Sequence, residues 1–230
     1  KSKIILNKII KLKNSEFDLS FKKYISLFYN NLQIHRSNFD ILINHYDKFN
    51  SKNFSFKKIN ILFISEGEIK PIINIIKLIF ILKKFDVKFL YIKNKNLKDY
   101  LKFKKKDILS LQPDYIFIIP YSFGLNFDFA LNIKDKKKLD KISTKLFNYW
   151  KHIFNYFNKI SNAKIYFFDY LKYDLNIFKV NINGISVDQQ INKLNNYIKV
   201  NKYFSIDTIN LNLLNKKFGT KNSYDLRLSS

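Results

Sequence analysis

Short, nearly unbroken apolar runs alternate along this chain with longer segments whose apolar positions recur at helical spacing. Ile59, Ile61, Leu62, Phe63 and Ile64 make the first run, the pattern of a strand buried on both faces. Residues 87–92 make the second. Pro113 and Asp114 introduce a third at 115–119, which Pro120 stops, since proline cannot donate to a sheet ladder. Residues 164–168 and 203–206 supply a fourth and a fifth. Between them lie an apolar helix from Pro71 to Leu82, a helix or irregular crossover over 97–111, and a long helix over 137–160. In the long helix Phe147, Trp150, Phe154 and Phe157 share one face. A helix over 185–200 with Ser186 as its cap follows, then a last one over 208–218 ended by Gly219.

Ahead of the first strand, Phe17, Tyr24, Leu27 and Phe28, then Ile34, Phe39, Ile41 and Leu42, fall near helical spacing. This predicts a helical lead-in over 1–55 and an α/β domain over 56–230. Strand, helix, strand units with crossovers of this length require parallel neighbours and right-handed connections. The expected architecture is therefore a three-layer α/β/α sandwich around a mostly parallel sheet of about five strands. In such sheets ligands bind beyond the carboxyl ends of the strands, where the strand order reverses. The loops of interest are 65–68, 121–126, 169–173 and the segment from 207 onward.

Composition changes this picture only at its margins. The 230 residues are 47% hydrophobic and 17% aromatic, which argues for a folded core. The net charge of +24 suggests polyanions, but Arg36 and Arg227 are the only arginines, and arginine is the residue suited to bidentate phosphate and base contacts. Lysine is spread along the whole chain beside abundant Asn, Ile, Phe and Tyr, as in proteins of A+T-rich genomes. The charge is therefore read as bearing on solubility, and nucleic acid is disfavoured as a partner. The absence of cysteine excludes disulfides, thiolate catalysis and sulfur-ligated zinc. No apolar stretch reaches the ~20 residues of a spanning helix, and residues 1–6 lack a signal-peptide cleavage pattern, so a cytoplasmic protein is expected. No Met occurs, even at position 1, so the chain is expected to be a fragment at its front.

Three blocks carry a family resemblance. Phe63-Ile64-Ser65-Glu66-Gly67-Glu68-Ile69-Lys70-Pro71-Ile72 looks like the first-strand loop of FkbH-like proteins. Gln112-Pro113-Asp114 with the apolar residues 115–119 is similar to their Pro-Asp strand block. Gly184-Ile185-Ser186, Ile191-Asn192-Lys193-Leu194-Asn195, Phe204-Ser205-Ile206-Asp207, Leu211, Phe218-Gly219 and Tyr224-Asp225-Leu226-Arg227-Leu228 resemble the closing run that leads into a HAD-type domain. The resemblance spans about residues 59–228. It implies an SGNH-hydrolase-like (flavodoxin-like) front domain whose HAD-superfamily partner domain, with its aspartate nucleophile and Mg²⁺ site, is absent from this chain. It further implies transfer of a glyceryl-type acyl group from a small phosphorylated donor to an acyl carrier protein. No cofactor is expected in this chain itself.

A working SGNH esterase needs a serine after the first strand, Gly and Asn oxyanion donors, and a carboxyl-terminal Asp-x-x-His. Ser65 follows the strand, and Gly124 and Asn126 lie beyond the third. Asp225, however, is followed by Leu228 where the histidine should stand, and His35, His45 and His152 all fall in helical segments. No catalytic residue is assigned; Ser65 and Asp225 are the candidates. Ser65, Glu66, Gly67, Glu68, Ser122, Gly124, Asn126, Asp169 and Asp207 are the substrate-binding candidates, with Glu66 and Glu68 also open to a cation or cationic head group. The leading expectation is a substrate- or carrier-docking domain with little or no activity alone. A stand-alone SGNH-type esterase or acyltransferase is the alternative, and a basic polyanion-binding protein comes third.

Overall fold

A computed structural model of the chain describes residues 57–69, 73, 76–77, 80, 85–93, 97–173, 181–182, 184–200 and 206–213. The lead-in expected over 1–55, most of the helix expected over 71–82, and Asp225 lie outside the described residues. The chain divides into one unit of residues 1–59 and 69–87 and another of 60–68 and 88–230. In the first, the Ile73 amide donates to the Ile69 carbonyl at 3.0 Å, and the rings of Phe80 and Phe85 meet edge to face at 5.9 Å.

The sheet follows from the apolar runs. Its strands are β1 (Lys57–Ser65), β2 (Phe85–Lys93), β3 (Tyr115–Ile119), β4 (Lys164–Phe168) and, after a short hairpin, β7 (Ile206–Ile209). They lie in the order β2-β1-β3-β4-β7 in a parallel sheet flanked by helices, as in a three-layer α/β sandwich. In register, Phe63 stands opposite Phe117, Phe117 opposite Tyr166, and Phe167 opposite Thr208.

Alternation along each strand sorts its side chains to two faces. Leu62 and Ile64, Ile116 and Ile118, and Ile165 and Phe167 supply one face, fully buried in a single cluster with Trp150, Ile153, Phe154, Phe157, Ile191, Leu194 and Ile198. Each such side chain contributes about 1.5–3 kcal/mol on burial. The opposite face carries an aromatic ladder across strands: Phe89 to Phe63 at 5.7 Å, Phe63 to Phe117 at 5.2 Å, and Phe117 to Tyr166 at 5.2 Å.

The helices are α1 (Leu97–Phe103), α2 (Lys105–Leu111), α3 (Ser122–Leu131), α4 (Lys136–Ile160) and α5 (Val187–Val200). The long aromatic-striped helix is α4, and Asp135 caps it by accepting from the Lys138 amide at 3.0 Å. Ser186 closes a capping box on α5: its Oγ accepts from the Gln189 amide at 3.2 Å, while its own amide donates to Gln189 Oε1 at 3.1 Å.

Four expectations shift. Residues 97–111 form two helices broken at Lys104, the second ending in a left-handed Gln112 (φ 47°). Residues 121–126, expected as a loop, open α3 instead. Asn181–Ile182 (β5) and Ile185–Ser186 (β6) pair as a hairpin turning at Gly184, whose φ of 76° suits glycine. Of the fifth strand expected over 203–206 only Ile206 is among the described residues; the described strand runs Ile206–Ile209, so the following helical segment starts at Leu211, not at residue 208.

Candidate functional site

β1 lies between β2 and β3, so the chain leaves β1 toward one side and returns to pair on the other. The strand order therefore reverses between the carboxyl ends of β1 and β3, the place where open parallel sheets bind ligands. Ser65 ends β1 and Pro120 follows β3. Across this gap Glu66 Oε2 accepts a hydrogen bond from the Tyr121 amide at 2.9 Å. Ser65, only 2% exposed, turns its Oγ to accept the Gly67 amide at 3.0 Å. Tyr91 donates its hydroxyl to the Gly67 carbonyl at 2.8 Å. Gly124 lets the Tyr121 ring pack close to α3, since a Cβ there would stand 3.0 Å from the ring, which would have to give by a few tenths of an ångström. Glu68 sits on the exposed rim and pairs with Lys93 at 3.0 Å.

The loop after β4 is bound just as closely. The Leu171 amide donates to Ser122 Oγ at 2.9 Å, and the Leu171 carbonyl accepts from Asn126 Nδ2 at 2.9 Å. Asn126 Nδ2 also donates to the Ser122 carbonyl at 2.7 Å. Asn195 clamps Tyr170, accepting its amide at 2.8 Å and donating to its carbonyl at 2.9 Å. Asn212 donates to the same carbonyl at 3.0 Å and accepts the Lys172 amide at 2.8 Å. The Asp169 amide donates to the Ile209 carbonyl at 3.0 Å, and its carboxylate accepts the Leu211 amide at 2.5 Å, which fixes the exit from β7.

Electrostatics set Glu66 apart. Burial pushes its carboxyl above the ordinary range, and the Tyr121 amide only partly offsets this. Its charge also reaches two phenols. Tyr149, whose oxygen accepts the Leu97 amide at 3.2 Å, is pushed up to about 12 by burial first and by Glu66 second. Tyr170, fully enclosed and bonded to Trp150 Nε1 at 2.7 Å, is raised further for the same two reasons. Asp169 is raised by burial and held back by the Leu211 amide and Asn212. The arrangement is a carboxyl of raised pKa whose charge is felt by two phenols that stay neutral at physiological pH. It can hold a proton or accept a hydrogen bond from a polar ligand.

Of the residues the sequence nominated, Ser65, Glu66, Gly67, Ser122, Gly124, Asn126 and Asp169 lie at or just beyond the carboxyl ends of β1, β3 and β4, with Glu68 at the rim. Asp207 does not join them: it lies within β7, exposed, paired with Lys164 at 2.9 Å near the start of β4. Asp225 lies outside the described residues. Both amide hydrogens of Asn126 are spent on carbonyls, so it has none to offer an oxyanion, and its Oδ1 is buried without a partner. His152 is exposed on α4.

Among the described residues, the carboxylates at this site do not fit a Mg²⁺ ion. Mg²⁺ needs converging oxygen ligands in octahedral array, whereas Glu66, Glu68 and Asp169 each have their own partner. Among the described residues no three His, Cys, Asp or Glu side chains gather to hold a metal. Sequence reasoning did not nominate Tyr149, Tyr170, Asn195 or Asn212 as site residues, although Tyr170 lies in the loop 169–173 and Asn195 in the closing run of the resemblance; nothing in their spacing distinguishes them from the other tyrosines and asparagines.

No family model and no curated protein matches the chain. Among solved structures it resembles the crystal structure of the N-terminal part of the protein BF1531 from Bacteroides fragilis, which contains a phosphatase domain complexed with Mg. The TM-score is 0.60 at 14% identity, over 76% of this chain. The chain spans 46% of that structure's length. At this identity the likeness shows a shared α/β fold. No described helix is long and apolar enough to cross a membrane.

Proposed function

We propose that this chain is the docking domain of an FkbH-like enzyme, holding a substrate or an acyl carrier protein while a HAD-type domain performs the phosphoryl chemistry. The reaction served would move a glyceryl-type acyl group from a small phosphorylated donor to the carrier's phosphopantetheine thiol, with Mg²⁺ at the partner domain. The observation that carries this reading is the state of the switch-point groups. Ser65 is buried against the Gly67 amide, and Asn126 has both hydrogens engaged. Such a site binds better than it hydrolyses, since a serine nucleophile needs a base within hydrogen-bond reach and a free oxyanion donor. The fold shared with part of a phosphatase-containing protein supports the pairing with a HAD-type domain. The lysine-rich composition suits encounter with carrier proteins, which are acidic.

Calorimetric titration of the chain with a holo-acyl carrier protein, beside an ester-hydrolysis assay of wild type and Ser65→Ala, tests the reading. Saturable carrier binding with background hydrolysis in both proteins is expected. Hydrolysis that Ser65→Ala abolishes would instead establish an esterase.

A further inference from the structure

The helix α3 is apolar on two sides. Leu125 and Phe129 are buried with Ser122 and Asn126. On the other side Phe123, Phe127 and Leu131, at i, i+4 and i+8, are 36%, 46% and 68% exposed, with Tyr121 beside them at 47%. Single exposed apolar residues need no explanation, but a contiguous run along one helix ridge marks an interaction surface. The ridge is built: Gly124 gives the Tyr121 ring its seat, Tyr121 leans on Phe123 at 6.4 Å, and Tyr173 meets Phe123 edge-on at 5.6 Å.

The ridge runs into positive charge. Lys134, Lys136 and Lys137 are exposed in the tight turn and first turn of α4 that follow Leu131. Six residues of chain limit Lys137 to roughly 20 Å from Leu131. We infer that the α3 ridge and these lysines form a docking surface for an amphipathic, acidic helix of a partner protein, apolar side chains seated on Phe127 and Leu131 and carboxylates on the lysines. In part this rests on the reading of the chain as a docking domain.

A protein fits better than the other polyanions. Asp128 is exposed on the same helix, where it would be driven against lipid headgroups but can take a donor at a protein rim. The rings stand tilted and edge-on to one another, not as the parallel platforms on which bases stack.

The test measures binding of two probes to the chain by fluorescence anisotropy. One is a holo-acyl carrier protein, and the other is a helical peptide with Leu on one face and Glu on the other. Phe127→Ser with Leu131→Ser should weaken the peptide about tenfold or more. Lys136→Glu with Lys137→Glu should weaken it similarly. Lys151→Glu with Lys159→Glu, the same charge change about 22 and 34 Å further along α4, should leave it within about twofold. Unchanged melting temperatures confirm that the variants fold.

Equal loss from both lysine pairs, or no loss from the ridge variant, overturns the surface. So does a wild type that binds no acidic peptide, one that binds anionic phosphatidylglycerol vesicles through the ridge instead, or a chain that dimerises until the ridge is substituted. Carrier binding that the ridge variants leave intact would sink this surface and keep the docking function. Peptide binding without carrier binding would do the reverse.

Discussion

The indole nitrogen of Trp150 donates to the hydroxyl of Tyr170 at 2.7 Å, joining the middle of α4 to the loop after β4 inside the core. Both side chains are buried, and the Phe167 ring packs against each, at 5.1 Å and 6.2 Å. Tyr170→Phe strands a buried N–H, so it is expected to cost about 1–3 kcal/mol in urea unfolding. In a cycle with Trp150→Phe the two losses should not add, the double variant being less destabilised than their sum.

Glu66 gives stability a pH dependence of definite sign. Its folded pKa is raised above the ordinary 4.5, so the native state holds the proton more tightly than the unfolded chain. Its contribution is complete below pH 4.5 and is lost as pH rises through the folded value. Asp169 acts in the same sense from 3.8 upward. Glu66→Gln keeps an acceptor for the Tyr121 amide, so unfolding free energies measured against pH should fall less steeply in this variant. At neutral pH it should be at least as stable as wild type.

The phenols can be counted by ultraviolet titration. Tyr149 should ionise near 12 and Tyr170 later still, behind an ordinary tyrosine near 10. Tyr149→Phe should remove part of the late absorbance change. Because the native state keeps these protons longer, stability should fall as pH rises through the same range.

Ser122→Ala should cost about 0.5–1.5 kcal/mol by removing the acceptor of the Leu171 amide. Amide exchange at Leu171 should quicken while exchange at buried Ile116 of β3 stays slow, a pattern that separates loop release from general loosening.

Strands β1, β3 and β4 and helix α4 were legible because they are extreme cases, continuous apolar runs or a long one-sided aromatic stripe. Helix α3 was not. Phe123, Leu125, Phe127, Phe129 and Leu131 point in too many directions to show one face, and Gly124 reads as a turn. β7 runs on to Ile209 where an end at Ile206 was expected, because Thr208 reads as readily as the start of a helix. At the site, position in the sheet was legible for Ser65 and Glu66, since a loop after a buried strand has few places to go. The partners were not. That Asn126 would spend its amide on carbonyls, or that Tyr149 and Tyr170 would feel the charge of Glu66, depends on packing between segments far apart in sequence.

Ser122 and Asn126 stand four apart on α3, and between them they bond the amide and the carbonyl of one residue, Leu171. Two side chains of a helix thus do for that residue what a neighbouring strand does within a sheet. Such recognition reads main chain only. The attachment is indifferent to the identity of the side chain at position 171, so that position can change while the loop stays where it is.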